Sequence, residues 1–305
     1  MDKAFFAGLI IGVLSRVIML NLDRKQYPPQ PNILLSQLVL AFVASALGAL
    51  LVPALIERSY TSITFLSLAA EQFRQVRENR RDSLQNMEDI QLVQRGGAFI
   101  EEIARTYEVR NYICIITSLS TVGINYLITS ELNLNGNIAL IISCVFGITL
   151  ALILKKILSR GSIGEIADVV PVDITFVNGA ILKVGELQGV TNIGLESERE
   201  RYITQGLGIE IIPKDNSYAN AGILLDPGQR QAIIYNIYSR IGLLRESNEP
   251  AFSPLPRRNP KNESLVIAYI PVDKDIDKLI EAVKSCPILA SARGKNISLK
   301  NHKIK

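Results

Sequence analysis

Glu101, Glu102 and Arg105 are the side chains of this 305-residue chain whose types and spacing come nearest to a reactive set. Two adjacent carboxylates and a cation are raw material for acid–base attack on an amide bond, and they stand just ahead of an apolar stretch of membrane length. A glutamate-based membrane peptidase is one reading. The other is structural: Glu101 and Arg105 are four apart and Glu102 and Arg105 three apart, the spacings of helical ion pairs. Such surface pairs are frequent, and each contributes roughly a few tenths of a kcal/mol. Other hydrolytic chemistries lack parts. The only histidine, His302, sits in the basic C-terminal tail, so His-dependent triads and the paired-His zinc motif have no raw material. An aspartyl pair would need two aspartates inside the apolar segments, which hold none. A Ser–Lys dyad using Lys155 or Lys156 is less constrained still.

The elements that must position these residues follow from composition. A positive mean hydropathy with a hydrophobic fraction of 48% implies apolar segments gathered into blocks. Four windows reach the roughly 17 to 25 residues that a spanning helix needs: residues 4–20, 33–56, 112–128 and 138–158. The first is read as a retained span, since it lacks a small-residue cleavage site and a second span follows the loop at 23–32. Small residues about one turn apart suit close helix packing: Gly8 and Gly12; Ala41, Ser45 and Ala49; Ser143, Gly147 and Ala151. Arg16 lies inside the first span, and Asp23, on the same helix face, is its expected partner unless it snorkels to the surface. The net charge of +4 and the absence of Trp argue against nucleic acid. Cys114, Cys144 and Cys286 have no disulfide or metal spacing and read as small apolar residues. No metal or cofactor is expected.

Arginine and lysine asymmetry sets the expected topology. Residues 57–111 and the stretch after the last span are basic and belong to the cytoplasm; the loop at 129–137 has no basic residue, and the first loop has only Arg24 and Lys25. The expected protein is therefore a multi-pass protein of the cell membrane with both termini cytoplasmic. Its fold class is a polytopic α-helical membrane domain of about four transmembrane helices, with a cytoplasmic helical insertion and a C-terminal α+β soluble domain. In residues, a transmembrane hairpin at 1–56 precedes a cytoplasmic helical insertion at 57–111, a second hairpin at 112–160 and the α+β domain at 161–305. One missed span would invert this arrangement.

Within the insertion, apolar residues at three- and four-residue steps predict a helix over 60–86, broken by Gly96-Gly97 and resuming from Ala98 into the third span. In the tail, Asn178-Gly179 between apolar runs at 174–177 and 180–184 predicts a hairpin. Further strands are expected at 208–212, 222–225 and 265–270. A helix should start at Asp226 with Pro227 at its first position and Gln229 in a capping box, and another should run over 275–285. The proline-rich 248–262 reads as an extended surface segment and 293–305 as a mobile tail. The Gly228-Gln229-Arg230 turn reads as a helix cap, with anion binding the alternative.

The run from Ala98 through Phe99, Glu101 and Glu102 to Ala104, with Arg95-Gly96 before it and Arg105, Glu108, Arg110 and Asn111 after it, resembles the signature of the YIEGIA membrane proteins of endospore-forming bacteria. Also similar are Tyr27-Pro28 with Pro31, Pro53-Ala54, Gln72-Phe73-Arg74 and Gly228-Gln229-Arg230. The likeness covers most of the chain. It departs from the family name at Phe99, where the family has Tyr, and at Glu102, where it has Gly. The resemblance implies a sporulation-linked integral membrane protein and supplies no catalytic residues. The expectation is a partner-binding or regulatory platform, in contact with the bilayer and with a protein on the cytoplasmic side. The alternative is a membrane peptidase using the Glu101/Glu102 region, where Glu-Glu-x-x-Arg is similar to the paired-glutamate signature of prenyl-protease-like enzymes. There the arginine is one residue too close and the later histidines are missing.

Overall fold

The computed structural model describes residues 2–26, 31–131, 135–158, 161–246, 249–250 and 254–295. The first-loop link at 27–30, His302 and the tail beyond 295 lie outside the described residues, as does the side chain of Asp23. The chain forms two compact units. Residues 1–83 and 103–159 make one; residues 84–102 and 160–305 make the other.

The first unit is a bundle of helices α1 (Asp2–Gln26), α2 (Pro31–Ile56), α3 (Tyr60–Gln85), α4 (Gly97–Glu131) and α5 (Gly136–Leu158). Four of them, α1, α2, α4 and α5, are long and apolar enough to cross a membrane. Helix α4 begins in the other unit and runs unbroken into this one, with Gly96, at φ 80°, turning the chain ahead of it. The bundle buries small and polar residues and exposes apolar ones. Ser15, Ser45, Thr117, Ser118, Thr121 and Ser143 are buried, while Phe6, Ile10, Leu35, Val145 and Ile157 face outward. The small-residue stripes are the crossing points: a methyl at Gly12 would strike Ser45, one at Gly147 would strike Thr121, and one at Gly48 would lie 2.4 Å from the Ile115 carbonyl oxygen.

These contacts fix helix directions. Helices α2 and α4 run parallel, with Gln37 meeting Tyr107, Ser118 donating to the Ser45 carbonyl and Val52 packing on Val122. Helix α1 opposes both, Ser15 lying beside Thr117 and Gly8 beside Val122. Helix α5 opposes α4, with Ser143 near Asn125 and Gly147 near Thr121. A turn at 57–59, with Arg58 at φ 50°, folds α3 back along α2. Phe73 of α3 packs among Ala41, Ala44 and Cys114. The end of α2 and the part of α4 that opens this unit, from Ile103, stand at opposite ends of the bundle, and α3 runs between them.

The second unit contains α6 (Ile163–Ile166), β1 (Ala167–Val172), β2 (Ile174–Val177), β3 (Ile181–Val184), β4 (Leu187–Asn192), α7 (Glu196–Gln205), β5 (Leu207–Pro213), α8 (Tyr218–Leu225), α9 (Pro227–Ile241), β6 (Arg245–Glu246), β7 (Glu249–Pro250), β8 (Leu255–Asn259), β9 (Ser264–Tyr269), α10 (Ile276–Lys284) and α11 (Ala290–Lys295). An antiparallel sheet of order β1-β5-β9-β8 carries the core, and every residue of β9 is buried because both faces are covered. Val266, Ala268 and Ile270 share one cluster with Leu182, Val184, Val190 and Tyr202. Strands β2, β3 and β4 form a second sheet, whose first hairpin turns at Asn178 (φ 52°) and Gly179 (φ 81°).

Two expectations need correction and a third is sharpened. Residues 222–225 are helical, forming the end of α8, where Ala219, Ala221, Ile223 and Leu224 are buried; a short apolar run carries no period that separates strand from buried helix. Gln229 closes no capping box: Asp226 alone caps α9, accepting from the Gly228 and Gln229 amides. Within 248–262, residues 255–259 form the edge strand β8, with Pro256 tolerated because an edge needs fewer ladder bonds.

Candidate functional site

In the first unit, α1, α2, α3 and α4 converge on a layer of cations. Arg16 of α1, 2% exposed, donates from Nη2 to Gln37 Oε1 at 2.7 Å. Gln37 Nε2 in turn donates to the Tyr107 hydroxyl at 3.0 Å. The Arg80 guanidinium stands 4.7 Å from the centroid of the Tyr107 ring, a cation–π distance. Arg77 pairs with Glu108 at 3.3 Å. Arg110, 4% exposed, approaches the Met19 sulfur at 3.4 Å, and Asn111 beside it is also buried. Tyr107, Glu108, Arg110 and Asn111 fall within little more than one turn of α4, which there reaches three neighbouring helices. The layer fastens helices through guanidinium groups, whose planar forks serve acceptors and aromatic faces at once.

In the second unit, residues from two distant stretches meet. The Glu88 carboxylate accepts from the amides of Arg95 at 3.1 Å and Gly96 at 2.9 Å, closing the loop ahead of α4. Arg95 also pairs with Glu88 and lies over the Tyr235 ring at 4.7 Å, with Phe99 meeting the same ring edge-on at 5.9 Å. Burial pushes the Tyr235 hydroxyl above the usual tyrosine range, and Arg95 opposes that rise. A methyl at Gly228 would sit 2.6 Å from the Ala98 side chain, and one at Gly96 would meet Gln231 at 2.9 Å, so both glycines allow close approach. Gln231 donates to the Gln94 carbonyl. Gln229, fully buried, donates to the Pro287 carbonyl at 3.0 Å and accepts from the Leu289 amide at 2.8 Å. Asp226 adds an ion pair with Lys295 at 2.8 Å, so the Gly228-Gln229-Arg230 turn is taken up by structure, with Arg230 half-buried on α9. Cys286 is fully buried, which raises its thiol pKa and keeps it unreactive.

The peptidase candidates are arranged differently. Glu101 is half-buried, Glu102 is 4% exposed and Arg105 is exposed. Adjacent residues on a helix diverge by about 100°, so the two carboxylates do not face one point. Gln72 and Arg74 are exposed on α3, where Arg74 pairs with Glu71 at 3.0 Å. Among the described residues no three His, Cys, Asp or Glu side chains come close enough to share a metal ion. The expected Asp23 partner of Arg16 falls outside the described side chains. Gln37, Glu88 and Tyr235 carry the two clusters, and sequence reasoning missed all three: each is a lone polar residue in an ordinary-looking helix or loop.

The chain matches the YIEGIA protein family over residues 4–299. It is 33% identical over 286 residues to an uncharacterized protein, YphB, of Bacillus subtilis (strain 168), an alignment covering 94% of this chain and 92% of that one. No solved structure matches it.

Proposed function

This chain belongs to the YIEGIA family, and from that premise we propose that it is a multi-pass protein of the cell membrane, linked to sporulation, whose second unit is a partner-binding or regulatory platform. The inverted burial of the first unit supports the membrane part: apolar side chains point outward and serine, threonine and arginine inward, the distribution expected where lipid is the solvent. One observation carries the platform. Arg95, Gly96 and Gly228, which share the family likeness, and Phe99, which departs from it, are used on contacts that build 84–102 into the second unit. They join surfaces and leave no convergent reactive pair. Its partner is a protein on the cytoplasmic side.

The test replaces Glu101→Gln and, separately, Arg95→Ala with Tyr235→Ala, in sporulating cells. Spore yield, membrane level and proteins cross-linked to the chain are measured. A platform tolerates Glu101→Gln and loses both function and its cross-linked partner when the Arg95–Tyr235 contact goes. Loss of function in Glu101→Gln, with membrane level and partner intact, overturns the platform in favour of a peptidase.

A further inference from the structure

The course of α3 bears on how the chain threads the bilayer. Because α2 and α4 run parallel, the chain leaves α2 at one end of the bundle and starts α4 at the other. If both helices span, the residues between them must cross as well. We propose that α3 is a fifth crossing. The start of α1, the α2–α3 turn and the link between α4 and α5 then face outward, while the link between α1 and α2, the segment ahead of α4 and the chain after α5 face the cytoplasm. This rests on the membrane reading above.

Length permits it: from Tyr60 to Arg77, which pairs with Glu108, the helix extends about 27 Å, against roughly 30 Å of hydrocarbon. The contacts run in order along α3. Phe73 lies on Ala41, Ala44 and Cys114, Arg77 on Glu108, and Arg80 on Tyr107, so α3 descends antiparallel to α4 from the first apolar turn of that helix to its cation layer. The composition is divided at the same point. Residues 60–70 carry no charge, and the hydroxyls of Thr64 and Ser67 are satisfied by carbonyls of their own helix at 2.9 Å each, as hydrocarbon demands. The arginines begin at Arg74 and reach the level of Glu108, just ahead of the apolar part of α4, where headgroups stand. The uncharged part is too short to be recognised as a span alone; it crosses with α2 and α4 beside it.

Charge sorting gives the orientation. With α3 crossing, Arg24 and Lys25, the arginines of α3, and Lys155 and Lys156 all fall at one end of the bundle. Lys3 and Arg58 are the basic residues at the other, and the loop at 129–137 has none. The basic end is cytoplasmic. The arrangement with both termini inside leaves Arg24 and Lys25 outward; this one does not.

The test uses the full chain in its own cell membrane with Cys114, Cys144 and Cys286 replaced by Ala. Single cysteines are placed at the exposed Glu57, Asn86 and Asn135. A membrane-impermeant maleimide is applied to intact protoplasts and then to lysed ones. Glu57→Cys and Asn135→Cys should label in intact protoplasts, and Asn86→Cys only after lysis. Labelling of Glu57→Cys and Asn86→Cys from one side overturns the crossing, and the reverse pattern overturns the orientation. Release of the unaltered chain from membranes by alkaline carbonate refutes the membrane reading instead. Should cysteine removal abolish insertion, protease sites placed after Arg58 or after Asn86 in the otherwise native chain report the same sides.

Discussion

In the bundle, buried positions at the helix crossings are glycine, alanine, serine and threonine, and buried and half-buried arginines tie four helices at one end, while many leucine, isoleucine and phenylalanine side chains face outward. In the second unit the same aliphatic residues are inside, on β5, β9 and α9, and the charges are outside. The two arrangements are near inversions, and the difference teaches what drives each. On the membrane reading proposed above, outward apolar side chains gain nothing from packing against lipid tails, and the bundle holds through close backbone approach and polar contacts. The second unit holds by removing apolar area from water, at about 25 cal/mol per Å².

The comparison breaks most easily at the closest backbone approach. Gly48→Leu puts a side chain where even a methyl lies 2.4 Å from the Ile115 carbonyl oxygen, and a backbone atom cannot step aside. The expected outcome is near-complete loss of membrane-inserted protein by quantitative immunoblot. Gly123→Ala is the contrast, since a methyl there meets only Val52 at 3.9 Å; it should leave the level unchanged. Equal tolerance of both would mean that small residues do not hold this bundle.

Next in size is Ile233→Ala, at a fully buried position on α9. It should destabilise the second unit by about 2–5 kcal/mol through lost burial and a residual cavity. Hydrogen exchange on the full chain in detergent checks it: faster exchange should appear across β5, β9 and α9, with α1 and α5 unchanged. Equal loss of protection in α1 would show that the two regions unfold as one body.

Much of this arrangement was legible in the sequence, and the reasons are local. The four helices long and apolar enough to cross a membrane, α1, α2, α4 and α5, declare themselves by hydropathy alone, and the Asn178-Gly179 hairpin and the Asp226-Pro227 start of α9 by residue chemistry that tolerates few alternatives. The continuity of α4 through Asn111 was also readable, because nothing after Gly97 breaks the helical pattern. What stayed hidden depends on partners far away in the chain. Helix α3 was expected from its period, but its path was not, because direction is set by contacts of Phe73 and Arg77 with other helices. The Glu88–Arg95–Tyr235 cluster joins residues about 140 positions apart, with no spacing to reveal it. Residues 222–225 failed for the opposite reason: four apolar residues are too few to show any period.

Gln229 offers a finer cut through the second unit, which buries few polar side chains and satisfies this one fully. Gln229→Ala strands the Pro287 carbonyl and the Leu289 amide, and should cost about 1–3 kcal/mol. Gln229→Glu keeps the acceptor for Leu289 and turns the donor toward Pro287 into a second acceptor. It should be worse than the alanine change at neutral pH and should recover as the carboxyl is protonated. Proteolysis near residue 287 reads both. Were glutamate and alanine equivalent at every pH, the glutamine would be filling space only.

The smallest expected effect is at the outer surface of the second unit, where charges meet water. Asp275 caps α10, accepting from the amides of Asp277 and Lys278 at 3.0 Å, and these bonds, with the nearby Lys278 ammonium, hold its carboxyl below the ordinary 3.8. A folded value below the unfolded one means that the ionised cap stabilises above about pH 3.8 and that this contribution fades as pH falls through the folded value. Asn caps helices nearly as well but does not titrate. The denaturation midpoint of Asp275→Asn should therefore lie slightly below that of the parent at neutral pH and converge with it on acidification. The gap should shrink in high salt, because the group lies at the surface with its side chain 34% exposed. Gln37→Leu, which removes one acceptor of the buried Arg16, should by contrast lower stability by an amount that salt does not change. If salt erased both effects alike, the arginine layer of the bundle would be as wet as the surface of the sheet domain, and the inversion between the two units would fail at its polar end.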